Sequence, residues 1–381
     1  MAGPDFPRAE YEARLETIQT AMQGAGLDAV FFTSEAEMRY FTGFRTLFWQ
    51  SPTRPWFLVV PRSGMPLAII PEIGAELMGS ASVGEIRTWA SPHPYDDGLS
   101  LLADALRPYA RIGMMLGRET ALRMPLADYE RLRADLTGCE FADATAMVQR
   151  QRMLKSEAEI ALIGEICSIA STSFEAAPDL FRQGQTFSEA FRAFKIELLK
   201  NGAEDVPYLV GGAGQGGYGD VISPPGEDRL EAGDVLMLDT GATLRGYFCD
   251  FDRNFAIGSP TPAVKSAHAK LVDAVDAASD LARPGGTASQ LFHEMDRVLT
   301  SGKGTSAGRL GHGLGMQLTE GLSLIPDDHT ELMPGMVLAL EPGIEVSPGQ
   351  FMVHEEDVVI RRTGAEFLTP RASRDIVALE A

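Results

Sequence analysis

Cysteine is scarce: three residues, Cys139, Cys167 and Cys249, lie far apart in the chain. That number and spacing exclude a disulfide framework and a zinc-knuckle pattern, and the simplest compartment for such a chain is the reducing cytoplasm. Long apolar runs are missing too. None approaches the ~20 residues that a membrane helix needs. The opening stretch MAGPDFPRAEYEAR carries acids early and has no apolar core, so no secretory peptide is expected. Positive charge is in deficit, with 33 Lys and Arg against 53 Asp and Glu and a net charge of −20. Such a balance argues against nucleic acid or an anionic membrane as partner and favours a soluble, strongly hydrated surface.

What is present fits two domains, since 381 residues exceed the usual size of one. Residues 1–153 read as a mixed α/β domain. Tyr11, Leu15, Ile18 and Met22 form one helical stripe. The short runs DAVFFTS, WFLVVP and PLAIIP read as strands, and two helices are expected near 97–108 and 124–136. Residues 154–381 open a second domain. Ser156 and Glu159 have capping-box spacing, and Ile160, Ile163, Ile166 and Ala170 continue a helical face. Further helices are expected at 187–201, 262–282 and 287–300.

The second domain contains an internal copy. LEAGDVLMLDTG (230–241) and LMPGMVLALEPG (332–343) align without a gap. Leu230/Leu332, Gly233/Gly335, Val235/Val337, Leu236/Leu338, Leu238/Leu340 and Gly241/Gly343 coincide, and Asp239 falls on Glu341. Each apolar run has the length of a buried strand and is expected to turn at its closing glycine. Each half reads as helices followed by a strand pair, which gives an α+β fold with a curved antiparallel sheet and helices outside. Buried carboxylates at matched strand ends need a partner or a cation, because an isolated buried charge is costly.

Other acids and imidazoles gather around this pair. YFCDFDRNF, read as a strand, puts Asp250, Asp252 and Asn254 on one face. FMVHEEDVVI, read likewise, puts His354 and Glu356 on one face and Glu355 and Asp357 on the other. His312 stands among glycines in GHGLG. The run GGAGQGG holds a weak G-x-G-x-x-G match at Gly212, Gly214 and Gly217, but YGDVISPPG follows it and cannot form the helix a dinucleotide site needs, so a flexible loop is expected.

These motifs resemble the family of methionine aminopeptidase, aminopeptidase P, prolidase and creatinase, which has the pita-bread fold. RLETIQTAMQGAGLDAVFFTSEAEMRYFTGF is similar to the N-terminal domain of the prolidase and creatinase branch, and RQRMLKSEAEI to its domain junction. LDTG, CDFDRNF, GHGLG, LEPG and HEEDVVI resemble the five metal-ligand motifs in order. The resemblance implies the ligands Asp239, Asp250, His312, Glu341 and Glu356, with Glu356 preferred to Glu355 because it directly precedes Asp357. It implies two divalent ions, Mn²⁺, Co²⁺, Fe²⁺ or Zn²⁺, with Mn²⁺ favoured. A set of four carboxylates and one imidazole suits such ions, and a pair of them ~3.5–4 Å apart activates water and polarises a carbonyl.

The chain departs from the family in places. The peptidase branch has two further histidines, and the matching positions here are Ile222 and Thr319. Three nearby residues are candidates to take over catalytic work. His354 stands where the resemblance places Arg, Asp252 where it places Thr, and Glu320 follows the second missing histidine. In the aromatic segment FRTLFWQSPTRPWF, Trp49, Arg54 and Trp56 either pack the first domain or close a neighbouring subunit's pocket in a homodimer, with Arg54 on a substrate carboxylate. Two activities follow from the resemblance. One is hydrolysis of an Xaa-Pro dipeptide or other small amide. The other is a creatinase-like or lyase-type reaction on a small molecule, which the missing histidines favour.

Overall fold

The computed structural model describes residues 4–51, 54–303 and 308–380, and the chain divides into two compact units, Met1–Gln151 and Arg152–Ala381. In the first, the opening stripe forms helix Arg8–Ala25, which buries Tyr11, Leu15, Ile18 and Met22. Its strands are β1 (Ala29–Phe32), β2 (Phe57–Pro61), β3 (Leu67–Pro71), β4 (Glu85–Trp89), β5 (Arg111–Met114) and β6 (Glu140–Asp143). They form one mixed sheet in the order β4-β3-β2-β1-β5-β6. The continuous apolar run of β1 suits its central place, where both faces are covered. The two expected helices appear as Leu99–Leu106 and Leu126–Asp135.

Trp49 and Trp56 belong to this unit's core, at 4% and 1% exposure. The Trp56 ring lies 5.2 Å from Phe44 and 6.0 Å from Trp49. Both rings are thus engaged in the packing of this unit. Arg54 stacks on Phe48 and donates from Nε to Ser91 Oγ at 3.1 Å, so its guanidinium is engaged within the unit as well.

The second unit begins with helix Glu157–Glu175, started by the anticipated box: Glu159 N donates to Ser156 Oγ (3.2 Å) and Ser156 N to Glu159 Oε2 (2.9 Å). The same device starts helix Phe187–Asn201 with Thr186 and Glu189, and helix Ala288–Thr300 with Thr287 and Gln290. Helix Pro262–Leu281 lies between them in sequence. Helix Ala288–Thr300 buries Leu291, Phe292, Met295 and Leu299, the i, i+1, i+4, i+8 face of an amphipathic helix. Each such side chain is worth ~1.5–3 kcal/mol of transfer free energy.

Its strands are β7 (Asp205–Gln215), β8 (Asp234–Leu244), β9 (Tyr247–Phe248), β10 (Phe251–Ile257), β11 (Gly311–Gly313), β12 (Val337–Leu340), β13 (Gly343–Ser347), β14 (Gln350–Val353), β15 (Glu356–Arg361), β16 (Gly364–Phe367) and β17 (Val377–Leu379). Among the described residues they form one sheet per half, β17-β10-β8-β7 with β9 on β8, and β11-β12-β15-β16, plus the hairpin β13-β14. All pairings are antiparallel except β17 on β10.

The copy is visible atom by atom. Gly233 N donates to Ile257 O (2.7 Å) and Gly335 N to Ile360 O (2.9 Å), at φ of +95° and +93°. Leu230 N donates to Gln185 O (2.9 Å), and Leu332 N to Gly286 O (2.7 Å). Only glycine adopts such a φ without strain, which is why this residue recurs in both halves. The halves differ where β8 runs on through Asp239 to Leu244, whereas β12 stops at Leu340. Gly241 is thus mid-strand opposite Tyr208, and the turn comes at Arg245 and Gly246 (φ +47° and +74°). The GGAGQGG run is not a flexible loop. Most of it is β7, where a Cβ on Gly211 would meet the Met237 carbonyl oxygen at 2.2 Å.

Candidate metal centre

β8 carries Asp239 into the middle of the unit, and Asp250 arrives just before β10. β11 supplies His312, and Glu341 follows β12. Oxygen atoms of Asp239, Asp250 and Glu355 lie within 4.8 Å of one another, all three residues buried. His312 Nδ1 donates to Gly313 O (3.0 Å), which turns Nε2 toward Asp250 Oδ2 (3.1 Å) and Glu341 Oε2 (3.7 Å). Arg309 Nε holds the other Glu341 oxygen at 3.0 Å.

Glu356 is not in this group, which corrects its assignment as a ligand. That assignment rested on its place directly before Asp357; in the structure the chain is out of strand between β14 and β15, at His354 and Glu355. Leu340 pairs with Glu356 at the end of that ladder, so Glu341 and Glu355 both lie just beyond it. Glu356 is held elsewhere, by Arg253 Nη2 (3.0 Å), Ala372 N (2.8 Å) and the Thr369 hydroxyl. Burial acts to raise its pKa, but Arg253 and the His354 hydrogen bond outweigh it and hold the carboxyl at about 2. Taking Glu355 as the ligand also shifts the Arg position of the resemblance from His354 to Val353.

The electrostatics of the cluster are unfavourable without a cation. Burial, then repulsion from Asp250, Asp252 and Glu341, pushes Asp239 well above the usual carboxylate range. Burial and Glu341 do the same to Asp250. Burial with Asp239 and Glu341 does it to Glu355. Asp239 Oδ1 and Glu355 Oε2 are buried with no hydrogen-bond partner among the described residues. A buried acceptor so placed costs ~1–3 kcal/mol, more when charged. Hard oxygen donors, an imidazole with its free nitrogen aimed inward and two orphaned oxygens fit divalent cations.

None of the three catalytic candidates hydrogen-bonds to these orphaned oxygens. His354 Nδ1 meets Asp252 Oδ1 (3.1 Å) and Nε2 meets Glu356 Oε1 (3.3 Å), so neither nitrogen is left for a substrate. Burial lowers its pKa, but those two hydrogen bonds dominate and raise it to about 9. Asp252 is fully buried and accepts from His354, from Glu355 N (2.8 Å) and from Asn254 Nδ2 (3.2 Å). These contacts occupy both of its oxygens, which corrects its reading as a proton acceptor. Glu320 is gripped by Arg152 Nη2 (2.5 Å) and Lys155 Nζ (2.9 Å). Burial opposes ionisation of Glu320, but those cations prevail and keep its pKa low, which makes it a poor base. Glu320→Ala is expected to cost ~3–5 kcal/mol by stranding two buried cations. Turnover per folded molecule should stay within a few-fold. Denaturant melts beside active-site-normalised rates check this.

Sequence reasoning missed Tyr208, whose half-buried hydroxyl faces Asp239 from β7. Burial and the carboxylates of Asp239, Glu355 and Asp250 push its pKa up, so it stays a protonated donor. It also missed Asp357, whose Oδ2 accepts from Asp250 N (2.9 Å) and the Cys167 thiol (3.3 Å). The places of the absent histidines hold Ile222, 80% exposed, and Thr319, neither of which replaces an imidazole.

A profile of Metallopeptidase family M24 matches residues 161–362, and one of the Creatinase/Prolidase N-terminal domain matches residues 14–154. The chain belongs to metallopeptidase family M24. Among its M24 relatives, a probable dipeptidase PepE of Mycobacterium bovis is 27% identical over 370 residues, covering 94% of each chain. An Xaa-Pro dipeptidase of Pyrococcus horikoshii is 30% identical over 269 residues, 69% of this chain and 74% of its own. The solved dipeptidase PepE of Mycobacterium ulcerans superposes with a TM-score of 0.85 at 26% identity, covering 99% of this chain and all of that one. The pita-bread architecture and a metallohydrolase activity are thereby those of this chain, as the five motifs implied.

Proposed function

We propose that this M24 chain is a divalent-metal-dependent peptidase of the Xaa-Pro type, acting on dipeptides or short peptides. The observation that carries the reading is the buried cluster with two orphaned oxygens, Asp239 Oδ1 and Glu355 Oε2, beside an inward-facing His312. Asp239, Asp250, His312, Glu341 and Glu355 would hold two ions. When bound, such ions activate water and polarise the scissile carbonyl. The residues around them set the stage. Gly313 O fixes the His312 tautomer, Arg309 leaves one Glu341 oxygen facing His312, and Tyr208 offers a neutral hydroxyl at the edge of the cluster. Mn²⁺ is the favoured ion because oxygen donors outnumber nitrogen four to one in this set and no thiolate is included. Three free cysteines suit a reducing cytoplasm, and the prolidase and creatinase resemblance suits a homodimer.

A second reading keeps the site and changes the substrate. Ile222 and Thr319 stand where the peptidase branch carries histidines, which favours a small cyclic amide or a creatine-like compound. A substrate panel with added Mn²⁺ decides. Hydrolysis of Xaa-Pro dipeptides, at least tenfold faster than turnover of the small-molecule set, is the expected result. Inertness toward every peptide with turnover of a small molecule would transfer the assignment to the second reading.

A further inference from the structure

Glu355 has unusually complete support for a residue that lies between two strands. Its backbone N–H is taken by Asp252 Oδ1 (2.8 Å), and its carbonyl accepts from Arg253 Nη1 (3.3 Å). Both gripping groups are themselves fixed. Asp252 is bound by His354 and by Asn254, whose Nδ2 also reaches Val353 O (2.7 Å). Arg253 donates to Glu356 and to Pro370 O (2.6 Å). His354 closes the ring by touching Asp252 on one side and Glu356 on the other. Thr369 and Ala372 complete the shell of Glu356. Asp252, Asn254, His354, Glu355, Glu356 and Thr369 are buried, Arg253 and Ala372 are partly exposed and Pro370 is exposed, and none of these groups hydrogen-bonds to the orphaned oxygens of the cluster.

We propose that Asp252, His354, Glu356 and Arg253 form a charged clamp whose task is to hold the Glu355 main chain, and through it the Glu355 carboxylate, in position for the metal pair. These are positioning residues, and the inference rests on the metal-centre reading above. Two acids and two cations alternate around the ring, so each charge is compensated by a neighbour at hydrogen-bond distance. Alternation of this kind fixes a loop more firmly than neutral hydrogen bonds, because charge-assisted contacts are shorter and stronger. The clamp also gives Asp252 and His354 a joint role. Asp252, where the resemblance places Thr, supplies the acceptor for Glu355 N, and His354 is the partner that lets such an acid be buried.

The test is made on the full chain by titrating Mn²⁺ into metal-free protein, with the visible absorption of the Co²⁺ form as a second readout. Asp252→Asn is expected to weaken Mn²⁺ binding ~10–100-fold, the usual cost of losing an orienting partner, and to alter the Co²⁺ spectrum. His354→Phe should weaken it similarly. The double variant should be no weaker than the worse single one, because both remove the same support. If Asp252→Asn proves poorly folded, the His354→Phe titration alone decides. Variants that melt earlier yet bind Mn²⁺ as tightly as wild type would overturn the clamp and leave the metal centre intact. A wild-type chain that binds no Mn²⁺ or Co²⁺ would overturn the metal-centre reading itself, and the clamp with it.

Discussion

Glu355→Gln and Glu356→Gln should change this protein in opposite directions. Glu355→Gln is expected to reduce peptide hydrolysis on the order of 10²–10³-fold, the scale seen when one preorganised charge is removed from an active site. Bound metal should fall below two ions per chain. The metal-free form of the same variant should melt higher than metal-free wild type, because a buried carboxylate repelled by Asp239, Glu341 and Asp250 has been neutralised. Glu356→Gln should do the reverse. It strands His354 and Arg253 beside a neutral amide, and breaking a buried ion pair costs ~3–5 kcal/mol. It should still bind two ions, more weakly, because the residue orients a ligand without being one. Thermal melts in chelator, elemental analysis and rates on one Xaa-Pro dipeptide separate the two. A Glu356→Gln protein that melts like wild type and loses a metal ion would restore Glu356 as the ligand of that motif.

Removing the metal should make the folded state gain stability on acidification. Asp239, Asp250 and Glu355 have folded-state pKa values above those of an unfolded chain. Their penalty is absent below about pH 4, where both states are protonated, and grows as pH rises toward the folded values. Metal-free protein should therefore gain stability on acidification from pH 8 to 5, by up to ~1.4 kcal/mol per pH unit for each proton taken up. His354 adds to this trend. Its contribution is fully present below about 6.5 and is lost as pH rises through about 9. Glu356 opposes it only at the acid end, where its contribution fades as pH falls from about 4.5 toward about 2. The His354 and Glu356 shifts describe one shared contact and are counted once. Cations must displace protons from the three raised carboxyls, so loading releases protons and its affinity drops as pH falls. Saturation at 100–1,000 times Kd adds ~2.7–4.1 kcal/mol at neutral pH. Melting temperature in chelator should thus rise as pH falls from 8 to 5, whereas metal-saturated protein, whose carboxyls are ionised both folded and unfolded, should show no such rise from them, and equal slopes would remove these carboxyls as the site of loading.

The duplicated half-domain was legible because strand burial and turn glycines are written locally. Gly233 and Gly335 announce a backbone conformation that almost no other residue tolerates, and the paired hydrogen bonds follow. Helix starts at Ser156 and Glu159 were readable for the same reason. Asp239, Asp250, His312 and Glu341 were reached through motif order, and the structure brings them together. Glu355 was passed over because HEED offers two adjacent acids and the choice between them rested on which one directly precedes Asp357. Glu320 was misjudged because the cation that holds its Oε2, on Arg152, stands 168 positions earlier in the chain. Trp49 and Trp56 had two open readings, and only their burial separates core from pocket wall.

β10 carries a timing constraint. One of its edges is covered by β8, its near neighbour in sequence, but the other is covered by β17, with Phe255 paired to Val377, 122 positions later. During synthesis the first half can assemble its helices and the β7-β8-β10 ladder while that outer edge still offers unpaired backbone groups to any strand nearby. The second half must be made before the edge is closed, and the stretch that closes it runs through the same Thr369 to Ala372 region that cups Glu356. Completion of the first sheet and completion of the support around Glu355 are therefore late events in the life of a nascent chain. A ribosome stalled before residue 369 would hold a domain whose five candidate ligands are all made, whose edge is still open, and whose Glu356 still lacks its contacts from Thr369 and Ala372.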